Sequence, residues 1–215
     1  MHLRPERFRK AIRRHGKLVE WWKAIPTSDY NPETNAYDRD SDTATEYGHI
    51  YVKQTLDNSV RALIQQVTKE VVDPNIGMIQ VGDLHISFMP DEINPVRMDK
   101  FVLLETVETT REVHDKDVAD VLHQADVVDI VSVQSNDGTV YVEGVDFELD
   151  GAEIVWLDGD ESASPPAGAP GYVVEYRYHP VYWYLGVRGQ TRGEQDGVPL
   201  PCNGVLTLKH PAAVQ

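Results

Sequence analysis

Two histidines lie among acidic residues in one charged segment, and imidazole and carboxylate groups are common ligands of Zn²⁺. His114 precedes Asp115, and His123 lies close to Asp126. His123 is not four residues from any other histidine, the spacing that brings two ligands onto one face of a helix. A single histidine beside acids is usually only solvated, so we expect no metal site here.

A general acid and base would need paired carboxylates, and three acidic residues lie close together: Asp158, Asp160 and Glu161. They belong to a loop rich in Ser, Pro and Ala, where solvated carboxylates are the simpler interpretation. Ser132, Ser135 and Cys202 have no recognisable activating neighbour. The motifs of phosphate-binding loops, dinucleotide folds, serine hydrolases and zinc proteases are missing. We therefore expect no enzyme and no cofactor, and a hydrolase is the least supported hypothesis.

Acidic residues at Asp38, Asp40 and Asp42 superficially open a calcium-binding loop. The sixth position of that loop is Thr43 rather than glycine, and the twelfth is His49 rather than glutamate. Both the sharp turn and the bidentate ligand are therefore missing, and we reject an EF-hand.

Charge is distributed unevenly along the 215 residues, whose formal net charge is −15. Residues 1–23 contain eight Lys and Arg against Glu6 and Glu20, which gives +6, and the remaining chain carries −21. An acidic body repels nucleic acid, whereas the basic arm could engage phosphate or an acidic partner. No apolar run is long enough for a signal peptide or a membrane span, and the single Cys202 excludes an intramolecular disulfide framework.

The basic arm is predicted to be an amphipathic helix. Pro5 suits a first helical turn, Phe8 and Ile12 fall on one face, and Gly16 is a natural stop. Residues 18–24 are predicted to form a strand that Pro26 ends, and the polar segment that follows is expected to be an exposed loop.

Two hairpins and a long returning strand are predicted within residues 129–184. Residues 135–138 and Asp150-Gly151 are typical of tight turns, and residues 172–178 are β-branched and aromatic. Part of residues 59–72 is predicted to be strand, and residues 108–126 could form one helix. The fold class is therefore mainly β, a barrel or sandwich built from hairpins, with an N-terminal helix and one candidate inserted helix at residues 108–126.

Three regions follow from this pattern. Residues 1–25 are the basic helix and the tryptophan-containing strand, residues 26–46 are an acidic extended loop, and residues 47–215 are a β domain. The β domain has excursions at 158–171 and 186–201.

The order of these features resembles that of the head-closure, or stopper, proteins in the neck of tailed bacteriophages. The stretches that carry the resemblance are residues 12–21, 60–70, 77–90, 99–103, 144–147 and 172–180. It implies a β-barrel subunit that forms a ring below the portal or adaptor protein and above the tail terminator or tail tube. Such a ring extends the channel for double-stranded DNA, retains packaged DNA without sequence specificity and docks the tail. The expected location is the virion neck, assembled in the host cytoplasm, without a membrane.

The resemblance also suggests which residues make contacts. Docking to a neighbouring ring is expected from the basic arm and the tryptophan pair: Arg7, Arg9, Lys10, Arg13, Arg14, Trp21 and Trp22. Contacts in the lumen or with a neighbouring ring are expected from two loops: Asp38, Asp40, Asp42, Arg188 and Arg192. An acidic lumen would let DNA slide without sticking.

Two alternatives remain open. The chain could be a tail-terminator or baseplate protein of the same virion, because several such proteins share the hairpin module. It could also be a carbohydrate- or protein-binding β module that uses its clustered aromatics: Tyr172, Tyr176, Tyr178, Tyr182, Trp183 and Tyr184. Packing of those rings in a core or interface is the favoured interpretation.

Overall fold

A computed structural model describes residues 5–27, 30–31, 36–37, 48–54, 60–74, 76–116, 120–157, 171–187, 194–195 and 198–208. The chain divides into two compact units. Unit 1 comprises Met1–Glu105 and Val181–Gln215, and unit 2 comprises Thr106–Pro180. Most of the loop at 26–46 and of the excursion at 158–171 lies outside the described residues, as does half of the excursion at 186–201.

The predicted N-terminal helix is confirmed as α1, Pro5–His15. Ile12 is its buried residue, and the amide of Gly16 donates to the carbonyl of Ile12 at 2.7 Å, which closes the last turn. A side chain at Gly16 would place its Cβ 2.4 Å from that same carbonyl oxygen. The helix therefore passes into the first strand through a residue that must lack a Cβ.

Thirteen strands of unit 1 and six of unit 2 lie among the described residues. Those of unit 1 are β1 Lys17–Pro26, β2 Tyr30–Asn31, β3 Ala36–Tyr37, β4 His49–Lys53, β5 Arg61–Gln66, β6 Val71–Asp73, β7 Gly77–Ile79, β8 Leu84–Phe88, β9 Lys100–Leu103, β16 Val181–Val187, β17 Glu194–Gln195, β18 Val198–Pro199 and β19 Cys202–Thr207. Those of unit 2 are β10 Glu108–His114, β11 Val127–Ser135, β12 Val140–Tyr141, β13 Phe147–Asp150, β14 Glu153–Trp156 and β15 Tyr172–Tyr178.

Unit 1 is a six-stranded barrel in the order β1-β5-β8-β19-β16-β9, which closes through antiparallel pairing of β9 with β1. Strand β8 alternates buried and partly buried residues along its length, as expected when one face lines a core. The barrel core is buried and largely aliphatic and aromatic: Val19, Ala62, Leu84, Ile86, Phe88, Ile93, Phe101, Leu103, Tyr182, Tyr184 and Leu206. The mainly β prediction, including a barrel, is confirmed.

Strand β1 is longer than the barrel wall. Its first residues pair with β5, Val19–Trp22 pair with β9, and Trp22–Pro26 pair with β4. Trp22 is therefore the last residue of β1 that pairs with the barrel strand β9, and beyond it β1 and β4 continue as a two-stranded ribbon.

Unit 2 contains a four-stranded antiparallel sheet in the order β10-β15-β11-β12 and the β13–β14 hairpin. Both predicted hairpins, β11–β12 and β13–β14, are confirmed, and so is the returning strand β15. The core of the unit is formed by Leu122, Val133, Tyr141, Phe147, Ile154, Tyr172, Val174 and Tyr176.

The helix predicted over residues 108–126 is wrong. Glu108–His114 form β10, which pairs in register with the whole of β15, from Glu108 opposite Tyr178 to His114 opposite Tyr172. Thr109, Thr110 and Val113 are β-branched and suit a strand once a partner is available. The only helix among the described residues is α1, and no described helix is long and apolar enough to cross a membrane.

Candidate functional site

One flank of α1 is attached to the barrel unit by ion pairs. Arg9 binds Asp91 and Glu92 through its two terminal nitrogens at 2.7 and 3.1 Å, and Arg13 lies 3.8 Å from Glu92. The hydrogen bond to Asp91, together with the nearby negative charges, raises the pKa of Arg9. These contacts neutralise the flank and fix the orientation of the helix.

The opposite flank of α1 carries cations that no described residue neutralises. Arg7, Lys10 and Arg14 are exposed, and none of them forms an ion pair within the described part of the chain. Their spacing of three and four residues places them on one face of the helix. We call these three residues the basic stripe. Of the five predicted docking cations, the structure therefore assigns Arg9 and Arg13 to the anchored flank and three to the exposed one.

Trp21 is a structural residue of the barrel. Its ring packs against the barrel core, and its indole N–H donates to Asp99 at 2.8 Å. The buried carboxylate of Asp99 also accepts the amides of Ala24 and Val96 at 2.9 and 3.0 Å. Burial raises the pKa of Asp99, although the three hydrogen bonds oppose that shift. Trp21 thus holds β1 to the loop before β9.

Trp22 lies on the opposite face of β1, between two lysines. Lys53 of β4 and Lys100 of β9 are its direct cross-strand partners, and their ammonium groups lie 5.8 and 5.6 Å from the centre of the indole. Lys100 also lies 4.5 Å from the ring of Tyr51. The indole N–H donates to Glu20 at 3.2 Å, and Glu20 accepts Lys53 as well. We call Trp22, Glu20, Tyr51, Lys53 and Lys100 together the Trp22 surface.

The Trp22 surface has the composition of a protein contact site. Cation–aromatic contacts hold the partly exposed indole in one orientation, so little side-chain entropy is lost when a partner covers it. Tryptophan and tyrosine are enriched among residues that dominate binding energy. The composition and partial exposure of the Trp22 surface therefore suit the docking of a partner.

The predicted loop contacts cannot be placed, because Asp38, Asp40, Asp42, Arg188 and Arg192 all lie outside the described residues.

A polar network in unit 2 contains the histidine that we expected to be solvated. His114 is only 7% exposed; its Nε2 lies 3.1 Å from Glu112 and its ring stacks on Tyr172. Glu112 also accepts the hydroxyl of Tyr176 at 2.5 Å and the amide of His123 at 3.0 Å. Burial would raise the pKa of Glu112, but these hydrogen bonds together lower it. The network ties residues 123–124 to the sheet, and no group of three metal-ligating side chains occurs among the described residues.

The aromatic residues considered for sugar binding are mostly internal. Tyr172, Tyr176 and Tyr184 are at most 1% exposed, and Tyr182 is 6% exposed. The core-packing interpretation of these four rings is therefore confirmed, and they form no exposed binding platform.

One pocket of about 260 Å³ lies between α1 and the barrel wall. It is lined by Phe8, Ile12, Leu63, Ser87, Leu200, Pro201 and Asn203. The hydroxyl of Ser87 donates to Asn203 at 2.6 Å, and the described residues of the lining include no acidic or basic side chain.

A model of the family DUF4815, a domain of unknown function, matches residues 85–185, a little under half of the chain. The match covers the whole of unit 2, all of β9 and the first five residues of β16. No curated protein matches the chain.

Proposed function

We propose that this chain is a structural subunit of a ring in the neck of a tailed bacteriophage, between the portal or adaptor and the tail. The observation that supports this role best is the arrangement of α1. Its Arg9 flank is fixed to the barrel unit while its basic stripe faces outward with no described partner. A helix held by one flank and exposed by the other is suited to docking.

The barrel and the Trp22 surface fit the same role. All six barrel strands are paired on both sides, so the barrel is a rigid support for contacts made at its surface, and β4 is an edge strand outside it. The Trp22 surface lies where the β1–β4 ribbon leaves the barrel, and we assign it to contact with the portal, the adaptor or a tail protein. The net charge of −15 suits a ring that DNA passes through without binding tightly.

Electron microscopy of the full-length protein, alone and mixed with the portal and tail proteins encoded by neighbouring genes, tests the proposal. We expect rings in the mixture, stacked on the portal. Trp22→Ala should weaken stacking, whereas the matched control Val72→Ala, at another exposed apolar residue, should leave it unchanged. Absence of rings in every mixture, or neighbouring genes unrelated to virion assembly, would refute the proposal.

The position of labelled copies distinguishes the alternative virion roles. Label at the head–tail junction supports a neck subunit, and label at the end of the tail tube or at the baseplate supports a tail-terminator or baseplate protein instead.

A further inference from the structure

Nearly all the net negative charge of the chain lies in unit 2. Its residues 106–180 contain 17 Asp and Glu against three Lys and Arg, a net charge of −14. Unit 1 contains 18 acidic and 17 basic residues, a net charge of −1. The two units therefore differ strongly in charge density, and unit 2 attracts cationic surfaces.

The β13–β14 hairpin concentrates exposed carboxylates of unit 2 on one face. Phe147 and Ile154 point into the core, and the alternate positions Glu148, Asp150 and Glu153 are exposed. Asp150 and Glu153 are direct cross-strand partners. Like charges directly opposite each other on a sheet are destabilising. No cation among the described residues forms an ion pair with any of the three. The repulsion between Asp150 and Glu153 is therefore not offset within the described part of unit 2.

The basic stripe of α1 is the matching surface in charge and number. Arg7, Lys10 and Arg14 span two helical turns, about 10 Å along the axis. Glu148 and Asp150 are about 7 Å apart along their strand, and Glu153 lies about 5 Å across from Asp150. Three cations can therefore face three carboxylates, and each partner would relieve repulsion in the other.

We propose that the basic stripe of one copy binds the Glu148/Asp150/Glu153 face of the β13–β14 hairpin of the next copy. The two surfaces differ, so the contact is heterologous, and repeated contacts of this kind close into a ring when the rotation between subunits permits. This proposal rests on the ring-forming role proposed above, of which it names the subunit contact. The Trp22 surface remains available for a different protein.

Carbodiimide cross-linking of the full-length chain tests the contact, because the reagent joins a lysine amine to a carboxylate that touches it. A mixture of copies labelled with ¹⁴N and ¹⁵N distinguishes links between copies from links within one. We expect mixed-isotope links from Lys10 to Glu148, Asp150 or Glu153, which disappear at high salt as the charges are screened. Absence of these links, or links only between peptides of the same isotope, would overturn the proposal.

Reciprocal charge reversal gives the second test, read by analytical ultracentrifugation at low salt. R7E/K10E/R14E alone and E148K/D150K/E153K alone should each associate about tenfold or more weakly than the natural chain, and their mixture should regain association. E70K/E143K, a reversal at two other exposed acids, is the control and should associate normally. A mixture no stronger than its components would overturn the contact.

The two proposals fail in different ways. Rings in the microscope without the Lys10 cross-links would leave the neck role intact and reject this contact. Cross-linked copies that never form rings with the portal would support the contact between copies and reject the neck role.

Discussion

Trp21 and Trp22 are adjacent in the sequence but lie on opposite faces of β1, and their environments differ. The indole of Trp21 donates to the buried Asp99, whereas that of Trp22 lies between Lys53 and Lys100 at the surface. The pleat of the strand is the reason, since successive side chains point to opposite faces. The pair is therefore not one aromatic anchor, and only Trp22 is suited to docking.

This difference predicts unequal effects on stability. Trp21→Phe removes one of the three donors to Asp99 and part of the packing against the core, so it should lower the free energy of unfolding by about 1–3 kcal/mol. Trp22→Phe should lower it by less than about 1 kcal/mol, as surface substitutions usually do. Urea unfolding followed by far-ultraviolet circular dichroism measures both. An equal or larger effect at Trp22 would contradict the assignment.

Glu112 makes the stability of unit 2 dependent on pH. Its pKa is lower in the folded state, so the stability it contributes is present above its unfolded pKa of about 4.5 and is lost as pH falls through the folded value. Glu112→Gln should therefore be less stable than the natural chain at pH 7, and the difference should shrink below about pH 4.5.

Unfolding measured between pH 7 and pH 3 tests this dependence. Glu148→Gln is the matched control, because Glu148 is exposed and has no described partner, and its difference from the natural chain should stay small at every pH. If the free energy of unfolding of Glu112→Gln were lower than that of the natural chain by the same amount at every pH, the loss of stability would not be electrostatic.

At the scale of elements, the junction between α1 and β1 determines how the basic stripe is presented. A Cβ added at Gly16 would lie 2.4 Å from the carbonyl oxygen of Ile12 and 3.1 Å from that of Ala62. The guanidinium of Arg61 donates to the Gly16 carbonyl at 2.5 Å, which adds a second restraint. The backbones of α1 and β5 therefore lie too close to Gly16 to leave room for a side chain there.

Gly16→Ala should destabilise the chain by about 1–3 kcal/mol, because the backbone must move to admit the Cβ. Arg14→Ala, on the exposed flank two residues earlier, should change stability by no more than about 0.5 kcal/mol. Thermal or urea unfolding compares the two. If Gly16→Ala were as stable as the natural chain, the junction would be looser than the distances indicate.

Local signals predicted the elements that local chemistry determines. Pro5 and Gly16 bound the helix, and the turn residues at 135–138 and 150–151 bound the two hairpins, as the sequence indicated. The error at residues 108–126 has a different origin, since pairing of β10 with β15, far along the chain, decides that conformation. Closure of the barrel by β1 and β9 is equally non-local and has no signature in either strand.

The residues of the candidate site could be predicted from the sequence, but their partners, which lie far along the chain, could not. The basic residues of α1 and the tryptophan pair are visible in the sequence. Which arginines are anchored depends on Asp91 and Glu92, about 80 residues away, and which tryptophan is structural depends on Asp99. No local pattern distinguishes these acids from others in the chain.

At the scale of the whole molecule, unit 2 is inserted between two strands that are neighbours in the barrel. Strands β9 and β16 flank it in sequence and pair directly, with Val102 opposite Val181. The two ends of unit 2 also lie close together, since Nδ1 of His179 lies 2.9 Å from the Thr106 carbonyl oxygen. The insertion thus replaces a hairpin loop, which predicts that the barrel can close without it.

Replacement of residues 106–180 by a short Gly/Ser linker should therefore leave a folded barrel with a net charge near −1. Circular dichroism should show a cooperative unfolding transition and retained β structure, and the truncated chain should no longer associate through the basic stripe. Loss of cooperative unfolding would mean that the barrel depends on unit 2.

Electron cryomicroscopy of particles purified from the organism that encodes the chain gives the decisive test of the proposed neck role. We expect tailed particles with a ring of copies between the portal and the tail, and with α1 of each copy against the β13–β14 hairpin of the next. A particle that lacks the chain, or holds it only at the distal end of the tail, would contradict the neck role.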